Sequence, residues 1–192
     1  QRQMCIRDSF SDDKPINENH KIKPTSPYGN NKATIEKLFN DIFNGDPESW
    51  RISNLRYFNP IGAYHSGLFG ETILNKPTNL FPVLCMVASK EMPYLEIFGN
   101  NWDTYDGTAI RDYVHIMDIA KGHLYAMKYL SNTSSGIISV NLGTGKGTSV
   151  FELIKVFEKV NKIKINFKIS NRREGDGARY VASNSLAKKI LG

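Results

Sequence analysis

The sequence predicts an α/β protein, and three observations carry that expectation. Apolar residues recur at helical spacing behind strong N-terminal cap signals, at Ser26-Pro27, at Asn79 and at Ser149-x-x-Glu152. Between these stretches lie short segments of high β propensity, closed by Gly, Pro or Asn. The two kinds of segment alternate along the chain with no internal repeat, which is the pattern of an α/β domain rather than of segregated helices and strands.

Taken in order, residues 1–9 show neither periodicity and resemble a translated sequencing adaptor, so they are expected to be a foreign or disordered terminus. Residues 10–25 are polar and proline-punctuated, hence loop. From Ser26, a good N-cap followed by Pro27, the residues Ala33, Ile35, Leu38, Phe39, Ile42 and Phe43 mark a helix closed at Gly45. Trp50 to Phe58 reads as one strand ended by Asn59-Pro60-Ile61-Gly62-Ala63. Asn79 caps a helix over Phe81 to Ser89, and Tyr94 to Phe98 is a short strand.

Asn100 to Gly107 is a polar loop leading into Ile110-Arg111-Asp112-Tyr113-Val114-His115. A helix is expected over Asp118 to Leu130 and an apolar strand over Ile137 to Leu142. Ser149 and Glu152 form a capping box for a helix reaching about Val160. Lys164 to Ile169 alternates as a strand, Arg172-Arg173-Glu174-Gly175-Asp176 is a charged loop, and a last short helix starts near Asn184.

At 192 residues, 40% hydrophobic and 23% charged, the chain has the composition of a soluble globular protein with enough apolar material for a core. No apolar run approaches the ~18 residues of a membrane span, and the first twenty residues hold no signal-peptide core. A cytoplasmic setting is the default, with no membrane partner. Cys5 and Cys85 suit neither a disulfide framework nor a zinc site. The four histidines, His20, His65, His115 and His123, have no metal-ligand spacing, so no metal is implied. The net charge of +6 would suit an anionic ligand, but the lysines are dispersed rather than interleaved with aromatics, which argues against a nucleic-acid groove.

Tyr28 and Lys32 stand four residues apart at the start of the first helix, which puts a phenol and an ammonium on one face. A phenol is a poor base at neutral pH, and a fixed cation nearby favours its phenolate; the pair is a candidate proton-transfer device for a hydroxyl or carbonyl substrate. Taken alone, the pair is better explained as a core-packed helix-start Tyr and a solvated Lys. Gly143-Thr144-Gly145-Lys146-Gly147-Thr148 lacks the spacing of a phosphate-binding loop and reads as a tight strand-to-helix turn. The Arg111-Asp112 and Arg172 to Asp176 groups are surface ion pairs or, with Asn59 and Asn79, a kit for a uridine diphosphate.

The order of these pieces resembles the UDP-glucose 4-epimerases of the extended short-chain dehydrogenase/reductase family. The landmarks are Pro15-Ile16-Asn17-Glu18, Ser26-Pro27-Tyr28-Gly29-x-x-Lys32, Arg56 to Ala63, Ser66 to Glu71, Asn79 to Pro82 and Phe98-Gly99-Asn100. Asp106 to His115, Asn141 to Gly145 and Arg172 to Asp176 follow. The resemblance implies a partial Rossmann-like doubly wound parallel sheet with a smaller α/β substrate-binding domain. Residues 10–63 would be a later part of the NAD-binding domain and 64–192 mainly the UDP-sugar domain, with 116–147 returning to the Rossmann sheet.

It also implies interconversion of UDP-glucose and UDP-galactose with enzyme-bound NAD, in a homodimer. By resemblance Tyr28 is the base and Lys32 supports it and holds the nicotinamide ribose, with Tyr57 and Pro60 along the cofactor. Phe58, Asn59, Asn79, Leu80, Glu96, Phe98, Arg111, Arg173 and Asp176 would line the UDP-sugar site. Tyr180 would gate sugar size, disfavouring N-acetylated sugars. The family's Gly-rich NAD turn, and its Ser or Thr about 25 residues before the Tyr, have no counterpart here, so the chain alone is expected to be inactive. A related sugar-nucleotide epimerase or dehydratase, and a non-catalytic UDP-sugar-binding module, are the alternatives.

Overall fold

The computed structural model describes residues 14–24, 26–71, 77 and 79–192 of the chain. The expectation for residues 1–9, and part of that for 10–25, lies outside the described residues.

Helix α1 (Pro27–Gly45) begins as its cap signals predict. The Ser26 hydroxyl accepts from the Gly29 N–H at 3.1 Å and Pro27 occupies the first turn, where its missing N–H costs nothing. The chain then enters β1 (Arg51–Tyr57), which pairs in parallel with β6 (Gly136–Leu142), Arg51 opposite Gly136 and Tyr57 opposite Leu142. Both α1 and α3 (Ile116–Ser131) pack on this pair. The bidentate pair from Arg56 to Glu36, 2.9 and 2.5 Å, ties α1 to β1.

The strand expected over Trp50 to Phe58 is β1, and the Asn59-Pro60-Ile61 stretch expected only to end it forms a second strand. After Phe58 the chain leaves β6, and β2 (Asn59–Ile61) pairs in parallel with β5 (Tyr113–His115). Pro60 explains the switch: it has no N–H for an interior ladder and is tolerated in a short, peripheral pair. The α3 helix then begins at once, capped by the His115 ring, whose Nδ1 accepts from the Met117 N–H at 3.2 Å.

The second half is built around α2 (Leu80–Ala88), β3 (Leu95–Phe98), α4 (Val150–Asn161) and β8 (Phe167–Ser170), the last pairing in parallel with β3. Leu84, Val87, Leu95, Ile97, Ile154 and Ile165 are its buried core, with Phe81 and Phe157 meeting edge to face at 6.1 Å. Between the two halves, β4 (Ile110–Arg111) lies between β7 (Thr148–Ser149), antiparallel, and β9 (Arg179–Tyr180), parallel. A short α5 (Ser185–Ile190) follows. The α/β class and the parallel pairing are as expected.

Two local expectations change. The strand foreseen from Lys164 starts only at Phe167, because the Ile165 N–H and the Lys164 ammonium are taken by the Glu158 carboxylate of α4, at 2.9 and 3.0 Å. Strand β9 had no sequence signal of its own; it is two residues long and exists through its partner β4. The capping box of α4 forms in full, the Ser149 hydroxyl accepting from the Glu152 N–H at 3.0 Å.

Candidate functional site

Nine of the residues assigned to a sugar-nucleotide site come together although they are spread over 119 positions from Phe58 to Asp176. Phe58 and Asn59 arrive from the β1–β2 junction, Asn79 and Leu80 from the start of α2, and Glu96 and Phe98 from β3. Arg111 comes from β4, and Arg173 and Asp176 from the loop before β9. They line a cavity of about 150 Å³, with Pro60 also in its wall. Asn79, Leu80, Glu96, Phe98 and Arg173 continue into an adjoining cavity of about 480 Å³ whose far wall is apolar, with Val83, Met92 and Leu95. A polar end and an apolar end joined in one cleft is the usual form of a small-molecule site.

The polar end is organised by Arg111, only 5% exposed. Its Nη1 donates to the Ile110 and Gly177 carbonyls, both at 2.9 Å, and its guanidinium carbon lies 4.7 Å from the Tyr180 ring centroid. None of the carboxylates among the described residues forms an ion pair with it. Burial pushes its pKa down, and the charge of Asp176 is the largest influence pulling it back up. Burial likewise drives the Tyr113 phenol up to about 12, against the opposing pull of Arg111, so Tyr113 is a neutral hydroxyl in the same wall. A buried guanidinium answered by carbonyls and a ring is fitted to an anionic group entering from the cavity.

The neighbouring amides are also poised. Asn59 Oδ1 is buried with no hydrogen-bond partner among the described residues. Asn79 occupies the N-cap position of α2 yet makes no side-chain cap bond, leaving its amide to the cleft it lines. Arg173 stands over the Phe98 ring, its guanidinium carbon 3.5 Å from the centroid, and Glu96 accepts from the Ser170 hydroxyl at 3.0 Å.

Four predicted site residues stand outside this wall. Tyr28 and Lys32 are half-buried on one face of α1, the Lys32 ammonium 5.4 Å from the Tyr28 ring centroid. Tyr57, at the end of β1, has its ring 6.0 Å from that of His123. Tyr180 backs Arg111 from the buried side, its hydroxyl reaching within 2.6 Å of where a Cβ on Gly177 would stand.

The glycine-rich stretch after β6 is a strand-to-helix turn, as expected, and its amides have an occupant. Asp112, fully buried, accepts from the Thr144 N–H at 2.9 Å, the Thr144 hydroxyl at 2.6 Å, the Gly145 N–H at 3.0 Å and the Ala182 N–H at 3.1 Å. A Cβ on Gly143 would come within 2.7 Å of Asp112 Oδ2, so the close approach requires glycine.

Sequence reasoning missed Tyr113 and Glu71 in the cavity wall and the hub role of Asp112. The signal for the first was present: Tyr113 is two residues from Arg111 on an extended segment, hence on the same side of the strand. Among the described residues no cluster of three or more His, Cys, Asp or Glu could hold a metal ion, and no helix is long and apolar enough to cross a membrane.

Comparison with known proteins agrees with the fold. The chain is 45% identical over 168 residues to UDP-glucose 4-epimerase of Neisseria meningitidis serogroup C, covering 88% of this chain and 49% of that protein. It superposes with a TM-score of 0.89 on UDP-glucose-4-epimerase from Stenotrophomonas maltophila, solved with bound NAD and formylated UDP-arabinopyranose, at 40% identity over 93% of this chain and 52% of that one. For UDP-glucose 4-epimerase from Bifidobacterium longum, in complex with NAD+ and UDP, the TM-score is 0.87 at 42% identity, with the same coverage of 93% and 52%. The chain thus spans about half the length of the curated relatives it matches. Residues 8–143 match the model of the NAD dependent epimerase/dehydratase family. With that match over most of its length, and a fold superposable on solved epimerases, the chain belongs to the NAD dependent epimerase/dehydratase family.

Proposed function

We propose that the whole protein interconverts UDP-glucose and UDP-galactose, and that the cleft around Arg111 is its UDP-sugar site. The observation that carries this reading is the buried Arg111, which has no ion pair among the described residues, converging on one cavity with the Asn59 oxygen, which has no hydrogen-bond partner among them. Arg111, with Arg173 and the Asn79 amide, takes the diphosphate. Asn59 Oδ1 accepts from a ligand hydroxyl, and the apolar walls around Leu80 and Phe98 receive the uracil. Asp176 and Glu96 complete the polar rim. Tyr180, seated behind Arg111, limits sugar size and disfavours N-acetylated sugars.

Tyr28 is the acid/base. Its phenolate takes the proton of the sugar 4-hydroxyl and later returns it, and the Lys32 ammonium beside the ring stabilises that phenolate. The chemistry NAD supplies when bound is acceptance of hydride from sugar C4 and its return to the opposite face. Tyr28 and Lys32, half-buried together on α1, fit the nicotinamide-ribose end, with Tyr57 and Pro60 alongside. The Gly143–Gly147 turn does not take the pyrophosphate, since Asp112 already holds the Thr144 and Gly145 amides.

In this reading residues 10–63 and 116–147 belong to the NAD-binding sheet and the rest of 64–192 to the UDP-sugar domain. The protein acts as a cytoplasmic homodimer, for which the exposed Ile35, Leu38 and Phe39 of α1 offer a helix–helix contact. Product analysis on the whole protein tests the assignment. Conversion of UDP-galactose to UDP-glucose is expected, with little turnover of UDP-glucuronate or dTDP-glucose; the reverse preference would assign it to another sugar-nucleotide activity. The 192-residue chain by itself is expected to bind UDP without turning over.

A further inference from the structure

We infer that Asp112 is a positioning residue, a buried clamp that holds Arg111, which takes the diphosphate, at a fixed spacing from Asn59, which takes a hydroxyl of the sugar; this rests on the UDP-sugar reading of the cleft.

The Asp112 side chain gathers four donors from two distant segments, Thr144 and Gly145 of the turn after β6 and Ala182 after β9. Its backbone reaches two more: the Asp112 N–H donates to the Tyr180 carbonyl at 3.0 Å, and the Asp112 carbonyl accepts from the Asn59 N–H at 2.9 Å. Asp112 is thus the direct neighbour of Arg111 in sequence, of Tyr180 across β4–β9, and of Asn59 across the step into β2. A fully buried carboxylate with no ion pair among the described residues is a costly choice for a strand junction unless its donors are fixed. Here two of the donors are the Thr144 and Gly145 amides of a concave turn of the kind that elsewhere receives phosphate, joined by the Thr144 hydroxyl and the Ala182 amide. The protein has filled an anion nest with its own carboxylate and used it to anchor the strand that presents Arg111.

The charge matters as well as the shape. Asp112→Asn keeps the size but turns one oxygen into an N–H₂ facing N–H donors, so at least one side of the clamp must open. Thr144→Val removes the hydroxyl that donates to Oδ1 and leaves the turn amide, while Thr144→Ser restores it.

The test uses the 192-residue chain, with calorimetric titration of UDP and of uridine, and amide hydrogen exchange. In Asp112→Asn the UDP affinity should fall about tenfold or more while uridine binding changes by less than about threefold, because only the anion-binding part of the cleft is displaced. Exchange protection at the Asn59 amide should fall by about tenfold, with the β1–β6 amides unchanged. Thr144→Val should give a weaker version of both effects and Thr144→Ser neither, which decides the matter if Asp112→Asn does not fold. Parallel loss of UDP and uridine affinity, or unchanged protection at Asn59, would overturn the proposal. If the wild-type chain bound no UDP, the UDP-sugar reading would fail, and the exchange arm would still decide whether Asp112 holds Asn59 in place.

Discussion

Arg111 and Tyr180 stand as a stacked pair at the back of the cleft, guanidinium carbon 4.7 Å from ring centroid, on neighbouring strands whose register sets them opposite one another. The ring shields the guanidinium from water, and the Gly177 carbonyl fixes one of its nitrogens. Tyr180 therefore stabilises the fold and the site through the same contact. Tyr180→Ala is expected to cost about 3 kcal/mol, the usual range for truncating a buried aromatic. Urea unfolding of the 192-residue chain measures it. UDP-N-acetylglucosamine should then compete with UDP more strongly against the variant than against the wild type.

Arg56 is the joint between the helix bearing Tyr28 and the sheet. It holds Glu36 in a bidentate pair and donates to the Glu18 carbonyl at 3.1 Å, with both side chains of the pair about 15% exposed. Arg56→Met leaves Glu36 without its partner and should cost about 2–4 kcal/mol. Adding Glu36→Leu should recover a good part of that. A double-mutant cycle by urea unfolding checks it, and simple additivity of the two losses would show the pair to be uncoupled.

Asp106 supplies the pH dependence. Burial raises its pKa, but hydrogen bonds from the Ser149 hydroxyl and from the Thr108 hydroxyl and N–H, with the charge of Lys155, outweigh it and hold the carboxyl below its ordinary range. A depressed folded pKa gives stability that is whole above the unfolded value of about 3.9 and lost as pH falls through the folded one. Asp106→Asn should be less stable than wild type at pH 7, and the gap should close below about pH 4. Urea unfolding at pH 7, 5 and 3 reads this directly.

Leu84, 0% exposed, is the centre of the α2–β3–α4 core that carries one wall of the cleft. Leu84→Ala should cost about 3–4 kcal/mol through lost transfer energy and the cavity left behind. Its effect on UDP binding at a temperature where the variant is folded should be small, because no polar group of the cleft moves. Denaturant unfolding and calorimetry together separate the two.

Much of this was legible in the residues. Cap chemistry at Ser26-Pro27 and Ser149-x-x-Glu152 located two helices, since a cap is a local bond between near neighbours. The cavity residues were found by resemblance, and their convergence from five segments is a matter of tertiary packing that spacing alone could not give. The strand end before Asn59 was legible, but β2 was not, because it owes its pairing to β5, more than fifty residues on. The late start of β8 depends on Glu158 reaching forward to the Ile165 amide, a side-chain competition with no periodic signature. Asp112 looked like half of a surface ion pair, and only its burial beneath the glycine turn reveals the four donors it holds.

The central claim is that the Arg111 cleft binds a uridine diphosphate. Calorimetric titration of UDP into the 192-residue chain and into its Arg111→Met variant tests it most directly. The account predicts saturable 1:1 binding by the wild type and a loss of about tenfold to a hundredfold in the variant, the worth of charge-assisted hydrogen bonds to a phosphate. Absence of binding by the folded wild type, or equal affinity in the two proteins, would contradict it.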